Sequence, residues 1–350
     1  MIDAFFPNFS FKRFFAIIPI ACLFLVLPPL TLTSLNLGGT SCFFIGWLAT
    51  FKLVLFALGN GPLNSSPPLN LTHFVLLACF PVKFLTCSHK KSSFSIERRQ
   101  LATIITSDSV WHNHWSAKVS HLTKLFLLGF FVCVYKYKGC LHPKIVFLLY
   151  TLHIYFMLEL WLVLISAIVQ FVFRMRLELE QPFNDPHLAT SLQDFWGKRW
   201  NLIVTNTLRP TVYDPVLSML VRYMQPRLAR CLAVMATFLV SGVMHELVFY
   251  TIGRAKPTGE VLSFFILNGA CLILEIGIKR SINRKYWLPQ IVSRLLALTF
   301  VILTCFWLFL PPFLRNKADV KGCTEAMAFL EFVKHGRLVS PNFITCPLYA

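Results

Sequence analysis

The segment SGVMHELVFY, residues 241–250, sets a histidine beside a glutamate in an otherwise apolar run. Within 230–252 the charged or readily charged residues are Arg230 at the edge, His245 and Glu246. Such a side chain at mid-bilayer costs about 2.5–3.5 kcal/mol even on the lenient insertion scale, so it tends to be functional or paired. A neutral imidazole in that setting is the form a general base needs. Adjacent residues project about 100° apart on a helix, so His245 and Glu246 do not simply serve each other. A His–Glu pair that only hydrogen-bonds other helices is the competing reading, and the segment by itself leaves both open.

A second equipped segment is 185–214, DPHLATSLQDFWGKRWNLIVTNTLRPTVYD. Asp185-Pro186 reads as a helix start, an Asp cap followed by a Pro whose missing N–H is harmless at the first position. Arg209-Pro210 reads as the stop, because the residue before a proline is pushed out of helical geometry. Leu188, Leu192, Phe195, Trp196 and Ile203 form an apolar stripe, and Asp194, Lys198, Asn201 and Thr205 a polar one. The spacing predicts a single helix over 185–209, with Asp194 and Lys198 as an i,i+4 pair. The Asn201 amide could hold a carbonyl oxygen, as oxyanion donors do. The plainer alternative is an interfacial helix with Phe195, Trp196 and Trp200 at headgroup level.

The elements that must position these residues follow from composition. The chain has 350 residues, 56% hydrophobic and 14% charged, with 35 Phe and a mean hydropathy of +0.64. That profile predicts an all-α polytopic membrane helical bundle. Windows near 20 apolar residues suggest about eight transmembrane helices, over 14–35, 40–59, 69–86, 122–138, 144–173, 230–252, 260–279 and 291–314. The first, preceded by Lys12 and Arg13, reads as a signal anchor. With no internal repeat, 1–350 reads as one membrane domain. It contains a polar loop at 87–121, the signature helix 185–209, the histidine helix 230–252, and a tail, 315–350, with a short surface helix.

The net charge of +18 would suggest nucleic acid in a soluble protein. Here it reads as basic cytoplasmic loops, with Lys136, Lys138, Lys144, Lys279, Arg280, Arg284 and Lys285 flanking the crossings. A basic face also attracts an anionic substrate. Eleven cysteines contain no CxxC pair, so neither a zinc site nor a disulfide framework is expected. His112 and His114 in WHNHW lack a third ligand nearby, and no metal is expected. HxxxD, GxSxG and P-loop patterns are absent. Sequons occur at Asn8, Asn64 and Asn70, and His153, Tyr155 and Glu159 lie in the long 144–173 run.

The blocks SLQDFWGKRWN, LRPTVYDPV and SGVMHELVFY, in that order, resemble the plant wax synthase-like branch of the membrane-bound O-acyltransferases. That branch includes long-chain-alcohol and sterol O-acyltransferases, and the likeness covers about residues 14–85 and 122–335. The resemblance implies a multipass helical protein of the endoplasmic reticulum that uses acyl-CoA as co-substrate and needs no cofactor. By motif, His245 corresponds to the catalytic histidine and Asn201 to the second signature residue. The implied reaction esterifies a lipophilic alcohol, a long-chain fatty alcohol giving a wax ester, with a sterol acceptor as the alternative. Lys198, Arg199 and Arg209 are candidates for the coenzyme A phosphates, with Asp194 and Trp200 beside them in the substrate-binding block. The implied partners are acyl-CoA, the alcohol or sterol, and membrane lipid; nucleic acid is not among them, and an oligomer is left open. A lipid transporter or binding protein, with His245 and Glu246 as a proton or substrate site, is the rival class. Transporters usually show two related halves, which this chain lacks. Ser241 and His245 share a helix face and could form a nucleophile–base pair, but direct transfer through a ternary complex is expected.

Overall fold

The computed structural model describes residues 11–64, 69–84, 121–173, 177–179, 181–281 and 288–347. Its helices are α1 (Phe11–Thr31), α2 (Asn36–Ala57), α3 (Leu71–Cys79), α4 (His121–Tyr135), α5 (Pro143–Phe173), α6 (Leu202–Leu208), α7 (Asp214–Leu220), α8 (Pro226–Gly253), α9 (Glu260–Ser281), α10 (Gln290–Arg315) and α11 (Ala318–His335). Two short strands, β1 (Val82–Phe84) and β2 (Leu177–Leu179), pair in a ribbon. One compact unit draws on residues 1–82 and 180–350, and a second on 83–179.

Six helices among the described residues, α1, α2, α5, α8, α9 and α10, are long and apolar enough to cross a membrane. Phe15 on α1, Phe171 on α5 and Trp307 on α10 are 70%, 85% and 74% exposed. Such surfaces suit lipid, while the helices satisfy their own backbone hydrogen bonds. The protein is an all-α polytopic membrane protein, but two of the eight expected crossings are short. Among the described residues the run 69–86 yields the nine-residue helix α3, about 14 Å at 1.5 Å per residue. Helix α3 stops before Phe80-Pro81. The buried Lys52 ammonium donates to the carbonyls of Leu77 at 2.7 Å and Phe80 at 2.9 Å, so the end needs no further turn. The run 122–138 yields α4, also below crossing length.

In the larger unit α8 and α9 form a closely packed antiparallel pair. Helix α8 opens on Pro226, at home in a first turn. It closes on Arg254, whose left-handed φ of 57° turns the chain and whose N–H donates to Tyr250 O at 2.8 Å. The tail is more firmly tied than a surface helix. Glu325 on α11 accepts from the backbone N–H groups of Leu35 at 2.6 Å and Asn36 at 2.8 Å, a carboxylate at the start of α2. Cys323 and Cys346 form a disulfide, which spacing did not suggest because the partners are brought together only where the chain returns past Gly336. Asn64 and Asn70 are used locally: Asn64 Nδ2 donates to Gly59 O at 2.6 Å, and Asn70 caps α3 by accepting from His73 N–H.

The smaller unit is built on α4 and α5. Phe131 and Phe156 stack with centroids 5.9 Å apart, and Glu159 takes Lys124 at 2.5 Å, with His121 at 3.8 Å. The polar loop up to residue 120, with WHNHW, lies outside the described residues.

Candidate active site

His245 sits on α8, eight residues before its end and 19 after its start. Its Nδ1 lies 2.7 Å from the carbonyl oxygen of Ser241. A carbonyl only accepts, so this bond requires the proton on Nδ1. In the neutral ring Nε2 then keeps its lone pair, and among the described residues it makes no hydrogen bond. The ring is walled by aromatics from three helices: Phe265 of α9 at 4.4 Å, Trp47 of α2 at 5.1 Å and Phe309 of α10 at 6.1 Å between centroids.

Small residues let α9 come this close. A Cβ on Gly242 would lie 2.7 Å from Leu262 Cδ1, 3.1 Å from Leu262 Cα and 3.3 Å from Phe265 Cβ. At the other end of the crossing, a Cβ on Gly269 would lie 2.9 Å from the Phe238 ring. Glu246, the neighbour of His245, points into a different task. Its Oε1 accepts from Leu262 N–H at 3.1 Å, one of the donors that the first turn of α9 leaves unsatisfied. The two reading-frame neighbours therefore divide: Glu246 holds a helix, and His245 is left with a free acceptor.

The 185–214 segment is not one helix. Asp185 has a left-handed φ of 44° and precedes a single 3₁₀ turn, Pro186–Leu188. Ser191 is the working cap, its Oγ accepting from Asp194 N–H at 2.9 Å. Residues Phe195–Arg199 then widen into a π-helical turn, and the chain breaks at Trp200-Asn201 before α6. The wider turn brings position i+5 over i. Asp194 consequently pairs with Arg199, Nε to Oδ2 at 2.8 Å, and the expected Asp194–Lys198 pair gives way to it. Pro210 does not end the helix either; Arg209–Tyr213 forms a second π-helical turn that accommodates the missing N–H and runs into α7.

Asn201 occupies the break with φ of 42°, a left-handed conformation that asparagine tolerates better than most residues. Its Oδ1 accepts from Val204 N–H at 3.4 Å, capping α6, while its NH₂ donates to no residue among those described. Val204 and Leu208 of α6 pack with Trp47 and Met244, the residue before His245. The helix that Asn201 caps and the helix that carries His245 thus meet in one cluster, and among the described residues no hydrogen bond joins Asn201 to His245.

Residues 179–267, which include both Asn201 and His245, match the family model of the membrane bound O-acyl transferase family. An acyl-CoA–sterol O-acyltransferase of Arabidopsis thaliana is 41% identical over 322 residues, 92% of this chain and 88% of the relative. The chain belongs to the membrane-bound O-acyltransferase family. A long-chain-alcohol O-fatty-acyltransferase of Simmondsia chinensis is 36% identical over 322 residues, covering 91% of this chain and 86% of that protein. As a membrane-bound O-acyltransferase the chain is an enzyme, and the transporter alternative is left without support.

Other expected positions of this O-acyltransferase are distributed unevenly. Lys198 and Arg209 are exposed, and among the described residues Arg209 pairs with Asp214 alone, at 3.9 Å. Arg199 is occupied: besides Asp194, its Nη1 donates to the carbonyls of Asn184 at 3.1 Å and Asp185 at 3.2 Å. Trp200 stacks on Phe195 with centroids 5.4 Å apart. Sequence reading overlooked the residues that seat the segment. Trp196 Nε1 donates to Asn268 Oδ1 at 3.2 Å, and the fully buried Asn268 amide donates to Phe264 O and Thr304 Oγ1. Glu275 accepts from Leu192 N–H at 2.7 Å. Asn268 and Glu275 both interrupt an apolar run, the same signal that exposed His245.

Proposed function

We propose that this enzyme transfers a fatty acyl group from acyl-CoA to the hydroxyl of a long-chain alcohol, forming a wax ester, with His245 as general base. The observation that carries the reading is the Nδ1 bond to Ser241 O, which leaves Nε2 as an acceptor among aromatic walls. Nε2 takes the hydroxyl proton as the alcohol oxygen attacks the thioester carbonyl. The tetrahedral intermediate collapses with loss of the thiolate, which recovers the proton as the free thiol. Asn201, through its uncommitted NH₂, steadies the acyl carbonyl. One such donor is worth about 2.7–4 kcal/mol in comparable chemistry. Greasy walls suit two lipophilic substrates, and no group in the scheme calls for a metal or cofactor.

Lys198 and Arg209, exposed on the signature segment, are the better candidates for the coenzyme A phosphates. Glu275 fixes the start of that segment to the α9 end that also carries Lys279 and Arg280. A basic end of this kind belongs on the cytoplasmic side, here of the endoplasmic reticulum, where acyl-CoA arrives. A sterol acceptor is the second reading, supported by the 41% identical relative named for that substrate. The test is expression in yeast deficient in neutral lipids, fed fatty alcohols or sterols, with extracts profiled for new esters. Fatty-alcohol feeding should yield wax esters, and His245→Ala should abolish them without loss of protein. Sterol esters alone would move the assignment to the second reading; activity in His245→Ala would remove the base.

A further inference from the structure

Trp47 is 2% exposed, and its Nε1–H is fully buried with no hydrogen-bond partner among the described residues. The part-buried indole of Trp196, by contrast, has its N–H satisfied by Asn268. A buried donor left unpaired costs about 1–3 kcal/mol. The same indole meets the His245 ring edge to face, interplanar angle 88° and centroids 5.1 Å apart. It is presented from a π-helical stretch, Cys42–Ala49, and such widened turns are frequent at functional sites.

We propose that Trp47 Nε1–H holds the acyl carbonyl oxygen during transfer, a catalytic donor alongside Asn201; this rests on His245 being the base. An indole N–H only donates, so its partner must be an acceptor. The reaction brings two oxygens to His245, that of the alcohol and that of the thioester carbonyl. The alcohol oxygen must direct a lone pair at the carbonyl carbon, and a donor on it would blunt the attack. The carbonyl oxygen gains the electron pair as the C–O bond forms and loses it again as C=O reforms and the C–S bond breaks. A fixed donor there is strengthened when the charge appears. Trp47 packs in one cluster with Val204 and Leu208 of α6, the helix that Asn201 caps.

The test replaces Trp47 with 3-benzothienylalanine, which keeps the bicyclic shape and puts sulfur where the N–H was, in the full-length enzyme in microsomes. Trp47→Phe serves as a second variant. Both should lower kcat by about 100-fold, with KM for acyl-CoA and alcohol within about threefold of the parent. A fall of less than about tenfold in the benzothienyl enzyme overturns the proposal and leaves Trp47 as packing. His245→Ala is run beside them. If it is inactive while the benzothienyl enzyme works at full rate, only the role of Trp47 fails; if it is active, the base assignment itself fails.

Discussion

Replacing Gly242 with alanine tests whether the α8–α9 crossing sets the geometry at His245. In an ordinary helix the change stabilises by about 1 kcal/mol, because glycine costs backbone entropy. At Gly242 the new methyl would meet Leu262 Cα at 3.1 Å, where carbon atoms prefer about 3.5–4.0 Å. Leu262 Cδ1, at 2.7 Å, can swing away, but a Cα cannot. The helices must therefore part by about 0.4 Å or more. Overpacking of this kind costs about 1–3 kcal/mol. Gly277, on the same hairpin, has open space where a Cβ would go and serves as the internal control. The helix-propensity gain is common to both, so Gly242→Ala should be less stable than Gly277→Ala by about 1–3 kcal/mol. Parting the helices also draws Phe265 off the His245 ring, now 4.4 Å away. A 1 Å misplacement costs about 100-fold in rate; the smaller shift should cost about tenfold. Thermal melting in detergent and initial rates of ester formation in microsomes measure both effects. If the two alanine variants melt and turn over alike, the close crossing does not position the base.

Asn201→Ala should lower turnover by two to three orders of magnitude, about 10²–10³-fold, and Asn201→Leu should do no better. A change confined to the KM for alcohol would make Asn201 a substrate-positioning residue instead. Ser241→Ala should keep most activity, because His245 is oriented by the Ser241 backbone carbonyl, which the substitution retains. Initial rates with both substrates varied should give intersecting lines. Parallel lines with labelled acyl group trapped on Ser241 would replace direct transfer by a covalent intermediate.

The membrane class could be read from composition, and His245 drew notice because charge in an apolar run is costly and therefore conspicuous. Asn201 drew notice by its place on a polar stripe and by the family resemblance. The local path of 185–214 could not be read. Stripes at three and four residues fit an α-helix, and nothing in that pattern announces the π-helical turns at Phe195–Arg199 and Arg209–Tyr213. The pairing of Asp194 with Arg199 follows from those turns and was hidden with them. Hydropathy also says little about where a helix ends inside an apolar stretch. Leu71–Cys79 stops short because Pro81 and the Lys52 ammonium intervene, and Lys52 comes from another helix. Trp47 was invisible for the opposite reason: one aromatic among many in a greasy run gives no sign that its N–H is buried unpaired.

The hairpin has a consequence for how acceptor range diverges among such enzymes. Gly242, Gly269 and the Glu246 cap fix the mutual register of α8 and α9. The remaining aromatic walls around His245 come from α2 and α10, through Trp47 and Phe309. Substitutions at Phe309 or its neighbour Leu308 can therefore reshape the surroundings of His245 while its ring keeps its tautomer and its place. Changes in acceptor size should accumulate on α10, where one lineage can explore bulky ring systems and another straight chains, each inheriting the same proton-transfer apparatus.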